Sequence, residues 1–128
     1  MNPVDNLFNR TLSKIQVMAK CVYRVEYYSV GHHELVISIH DMLSTAQKHL
    51  VFSGVNYMSI VPKWQNSHLE LVAMTDPFTI DLFEQLSISH KPSYRLVMAH
   101  QQQVKICIVS SLVHISDTFP APTIYIPD

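Results

Sequence analysis

Glycine is nearly absent, with Gly31 and Gly54 the only two in 128 residues, against a usual share of about 7%. Phosphate-cradling glycine loops and the dinucleotide fingerprint are excluded by that scarcity alone. Cysteine is equally sparse: Cys21 and Cys107 are too few for a disulfide scaffold, and each sits in an apolar stretch where a free thiol behaves as a small hydrophobe. The uncharged apolar-rich run Ile106 to Ile115 holds ten residues, about half of what a membrane helix needs. No membrane span is expected. The opening residues carry Asp5, Arg10, Lys14 and Lys20 and lack the apolar core of a secretory signal. Reduced cysteines and no leader lead to the expectation of a cytoplasmic protein.

Charge is scarce as well. Charged residues make up 15% of the chain, where about 25% is usual. Nine Lys and Arg stand against ten Asp and Glu, for a net charge of −1, with no basic block to track a phosphate backbone. Nucleic acid is therefore not an expected partner. Hydrophobic residues reach 48%, so an isolated domain would show large uncharged areas of the kind that mark association. A homodimer, and a surface for a protein partner, are the expectation.

What is present patterns clearly. Asn2, Pro3 and Asp5 form a helix start, and Val4, Leu7, Phe8, Leu12, Ile15, Met18 and Ala19 recur at the helical period. From Cys21 the period becomes two, with Cys21, Tyr23, Val25 and Tyr27 alternating with Val22, Arg24 and Glu26. Leu35, Ile37 and Ile39 repeat the pattern after Gly31, His32 and His33, which predicts a hairpin. A third strand spans 49–54, with Val55, Tyr57 and Ile60 continuing it past Gly54, where a bulge or bend is natural; Pro62 ends that segment. A fourth strand covers 68–74. Asp76 and Pro77 cap a short helix over 76–86, although Phe78, Ile80 and Leu82 also alternate. The last two strands cover 94–99 and 104–115, the second bending at Ser110 and Ser111. The expected fold is α+β: an N-terminal helix packed on a curved, mainly antiparallel sheet of about six strands, closed as a sandwich or partly closed barrel. Residues 1–117 form a single β-rich domain in this reading. Residues 118–128, with Pro120, Pro122 and Pro127, form an extended tail.

Chemistry is harder to place. Eight histidines are the one enriched reactive type, yet no His-Glu-x-x-His, no His-x-His and no close cysteine pair occurs, so neither a metal nor a cofactor is expected. His40 beside Asp41 is the best candidate for a catalytic pair, but no Gly-x-Ser-x-Gly elbow supplies a nucleophile. The aromatics Tyr23, Tyr27, Tyr57 and Trp64, with His40, are the candidate ligand-binding residues: in or beside strands, they can line a barrel mouth or fill the core. The stretch Gly54-Val55-Asn56-Tyr57 with Trp64 after it resembles small bacterial β-rich proteins, some of them immunity-type partners of toxins, and implies no catalytic residue. Three readings follow. The first is a non-enzymatic protein acting through a protein-binding surface, the second a small-ligand-binding barrel, and the third an enzyme built on His40 and Asp41.

Overall fold

The computed structural model describes residues 3–16, 20–43, 47–65, 69–87, 94–101 and 104–117. They form two helices and nine strands in an α+β arrangement. Helix α1 (Pro3–Gln16) buries Phe8, Leu12 and Ile15, which the helical spacing singles out, together with Thr11, which it does not. Asn2, Met18 and Ala19, expected at its two ends, lie outside the described residues, as does the 118–128 tail.

Strands β1 (Cys21–Ser29) and β2 (Glu34–Asp41) form the expected hairpin. Its turn carries His33 at φ +50. Strand β3 (Gln47–Ser53) follows on the far side of β2. The chain then crosses to a second sheet through Gly54 and continues as β4 (Tyr57–Ser59). Next come β5 (Lys63–Gln65), β6 (Glu70–Val72), helix α2 (Pro77–Gln85), β7 (Arg95–Gln101), β8 (Val104–Ser110) and β9 (Leu112–Ser116). One sheet has the order β5-β1-β2-β3-β9 and the other β4-β8-β7-β6, with antiparallel pairing throughout.

Two bends make one curved sheet into a sandwich. Strands β3 and β4 turn the corner at Gly54, which adopts φ +63, and their partners β8 and β9 turn it at Ser111. The corner is cross-tied: the Ser111 backbone N–H and hydroxyl both donate to the Ser53 carbonyl, at 3.1 and 3.2 Å. The expectation of about six strands becomes nine segments because these bends divide two strands and because β5 had no separate expectation. Pro62 does not end the segment for good. Its carbonyl accepts from the Val25 N–H at 2.9 Å, and the chain resumes at once as a three-residue edge strand.

The core lies between the sheets. Tyr23, Ile37, Ile39, Leu50 and Phe52 of the five-stranded sheet meet Val97, Ala99, Ile106 and Ile108 of the other, and Phe8, Leu12 and Ile15 of α1 complete the cluster. Arg95, almost wholly buried, ties α1 down: its Nε donates to Asp5 Oδ1 at 2.5 Å and its Nη1 to the Tyr94 carbonyl at 2.7 Å. On the other face of the four-stranded sheet, α2 seats Phe83 against Leu96, Met98, Cys107 and Val109. Asp76 caps this helix by accepting from the Phe78 N–H at 2.9 Å, and Pro77 opens it, so the helical reading of 76–86 holds over the alternating one. No helix among the described residues is long and apolar enough to cross a membrane.

Cys21 and Cys107 are buried and outside any disulfide. Burial pushes both thiols upward; Asp41 adds to the effect at Cys21, while Lys105 offsets part of it at Cys107. Since the thiolate is the reactive form, both cysteines are expected to ignore a disulfide reagent in native protein at mildly alkaline pH. They should titrate fully in denaturant. Prompt labelling of either thiol in the native state contradicts their placement in the core.

Candidate functional site

Alternation along β1 and β2 sends Tyr23, Ile37 and Ile39 inward, and it therefore sends Val22, Arg24, Ser38 and His40 to the opposite, outer face. A bulge between Val25 and Tyr27 keeps Glu26 on that outer face, where its Oε1 accepts from the Ser38 hydroxyl at 2.7 Å. Strand β5 adds Lys63 as the direct register partner of Arg24, and β3 adds Gln47 opposite His40. Met42, just past β2, closes the end; its backbone N–H donates to the Lys20 carbonyl at 2.7 Å. Together these residues line an open groove of about 450 Å³. Further along the same face Val36, Val51 and His49 are buried, which leaves Gln47 as the β3 residue among those lining the open part.

The fixed charges lining the groove are two cations, Arg24 and Lys63, and one acid, Glu26, so the cations are in excess. Arg24 and Lys63 lie directly opposite each other on neighbouring strands, a placement that costs folding free energy for like charges. Neither forms an ion pair with another described residue. Glu26 is the acid among the lining residues, and it is engaged by Ser38. His40, exposed, adds imidazole hydrogen-bonding capacity. A large apolar side chain, Met42, stands at the rim, 56% exposed. The arrangement offers two fixed cations, amide and imidazole hydrogen-bonding groups, and an apolar lip. That set suits a carboxylate-bearing segment.

The five candidate ligand-binding residues part company. His40 lines the groove. Tyr27 lies on the same outer face, and its hydroxyl donates to Glu34 Oε1 at 2.7 Å. Tyr23 and Trp64 come together inside the core, 0% and 2% exposed. Their rings stack with centroids 4.9 Å apart and planes 5° from parallel. Tyr57, on β4, packs with the cluster beneath α2. Asp41, buried, turns to the opposite side of β2 from exposed His40, so strand geometry separates the two members of the candidate catalytic pair. Arg24, Glu26, Ser38, Gln47 and Lys63 were not singled out from sequence as site residues. Wet-face alternation marks Arg24 and Glu26, but the pairing with Lys63 depends on the β1–β5 register.

Partial burial, aided by the hydrogen bond and charge of Glu34, pushes the Tyr27 hydroxyl up to about 12. A raised value in the folded state means that folding favours the protonated phenol. This contribution is full below the ordinary value near 10 and is lost as pH rises through about 12. Glu34→Gln is expected to lower the Tyr27 transition in an ultraviolet alkaline titration of the folded protein. An unchanged titration curve contradicts the contact.

Fold and groove define a two-sheet α+β protein with an open, cation-bearing sheet face. Comparison with protein-family models, with curated proteins and with solved structures found no match. Among the described residues, no three His, Cys, Asp or Glu side chains gather as a metal site.

Proposed function

We propose that this is a non-enzymatic binding protein whose outer sheet face takes an acidic segment of a protein partner into the Arg24–Lys63 groove. The observation that carries the reading is the register pairing of Arg24 with Lys63, two exposed cations set side by side at a cost to folding with no described acid between them. An arrangement that disfavours the free fold and favours a bound anion is a binding feature. The exposed Met42 supplies an apolar rim for the partner's neighbouring side chains. Tyr23 and Trp64, which a ligand-binding barrel would use to line its interior, are instead spent on packing. Two buried cysteines outside any disulfide support a cytoplasmic setting.

Poly-L-glutamate serves as the probe. Wild-type protein is expected to bind it at low ionic strength and to release it at about 1 M salt, where the screening length falls to about 3 Å. The R24E/K63E variant should not bind. Equal binding by that variant, or equal retention of single-stranded DNA by the wild type, overturns the reading.

A further inference from the structure

We infer that the segment seated in the groove is helix α2 of a second copy of this chain, an inference that rests on the groove reading above. Helix α2 (Pro77–Gln85) has Asp81 and Glu84 exposed three residues apart, hence on one side, and no Lys or Arg anywhere in PFTIDLFEQ. A large apolar side chain accompanies them on that side: Ile80, 46% exposed and four residues before Glu84. The described cation beside this helix, Lys105, lies over the Phe78 ring at 4.7 Å, at the first turn. The outward side of α2 thus carries an acidic pair with Ile80, while the groove carries a cationic pair, Arg24 and Lys63, with Met42 at its lip.

Lengths agree as well. The groove runs from β5 across β1 and β2 to Gln47 on β3, three inter-strand gaps of about 4.8 Å, or about 14 Å. Nine helical residues at 1.5 Å each span about 13.5 Å. The two patches sit on opposite outer faces of the sandwich, α2 on the four-stranded sheet and the groove on the five-stranded one. The contact therefore runs head to tail, each copy offering its helix to one neighbour and its groove to the next. Such a heterologous contact gives a ring or an open chain, according to the rotation between copies. This differs from the closed dimer that composition alone leads one to expect.

Light scattering after size exclusion, from dilute to millimolar protein at low salt, tests the inference with charge-reversed variants. Arg24, Lys63, Asp81 and Glu84 are all exposed, so R24E/K63E and D81K/E84K should melt with the wild type. Wild-type mass is expected to climb above 14.7 kDa with concentration. Each variant alone should need at least about tenfold more protein to associate. Their equimolar mixture should re-associate, because the native groove of one variant meets the native helix of the other and the two reversed patches also match. A wild type that stays at 14.7 kDa, association undiminished in either variant, or a mixture that fails to re-associate overturns the inference. The poly-L-glutamate assay keeps the two claims apart. A monomeric wild type that still binds the polyanion through Arg24 and Lys63 leaves the groove reading standing and removes only the self-docking.

Discussion

Replacing Trp64 with alanine is expected to cost about 3–5 kcal/mol, the usual range for deleting a large aromatic from a core. Against a total stability of roughly 5–15 kcal/mol for a domain of this kind, that is a large share. Trp64 is 2% exposed and stacks on Tyr23, its register partner on the adjacent strand. It is also the inward residue of a three-residue edge strand whose neighbours Lys63 and Gln65 face solvent. Losing the indole therefore removes the anchor of β5 and with it the fixed position of Lys63, so groove binding should fail together with stability. Trp64→Phe keeps a stacked ring and should cost much less, since the indole N–H meets no acceptor among the described residues. Because Trp64 is the only tryptophan, urea unfolding should be followed by circular dichroism. A cost below about 1 kcal/mol, the scale of surface substitutions, would place Trp64 outside the core.

Gly54→Ala is expected to be nearly as damaging for a different reason. The residue sits at φ +63, and a Cβ built there falls 2.1 Å from Ser111 Oγ. Positive φ costs a side-chain-bearing residue about 1–2 kcal/mol, and forcing an extra carbon into a filled space adds about 1–3 kcal/mol. Ser111 can rotate its hydroxyl away only by giving up the bond to the Ser53 carbonyl that cross-ties the corner. A Gly54→Ala/Ser111→Gly double variant removes the collision and leaves the backbone cost. Its loss should fall short of the sum of the single losses by roughly 1–2 kcal/mol. Strict additivity would show that the two residues do not meet at the corner.

Gly54 also illustrates what could be read ahead of the structure. A rare glycine between two apolar alternating runs signals a bend, and so does the Ser110-Ser111 pair in the long final run; the two interruptions turn out to be the two sides of one corner. The α1 face through Phe8, Leu12 and Ile15 and the α2 start at Asp76 and Pro77 were legible because local periodicity and capping chemistry act within a few residues. Strand β5 was not, since one buried residue between two wet ones carries too little alternation to register.

The candidate site was less legible for a more general reason. A period of two tells which residues share a face and is silent on what covers that face, so Tyr23 and Trp64 read equally as cavity lining or as packing. The second sheet and α1 decide between them by closing over the Tyr23 side of β1. The groove on the other side depends on Arg24 meeting Lys63, a pairing between segments far apart in the chain, and no local pattern encodes it.

If the outer face of β1, β2 and β5 binds an acidic segment, the residues that line the groove respond first. Amide chemical shifts of labelled protein, followed while poly-L-glutamate is added at low salt, test it most directly. The account predicts shifts concentrated at Val22, Arg24, Ser38, His40, Met42 and Lys63, with the α2 amides unmoved once the protein is dilute enough to be monomeric. Shifts that spread evenly over the surface, or that gather elsewhere while the Arg24 and Lys63 amides stay fixed, would contradict it.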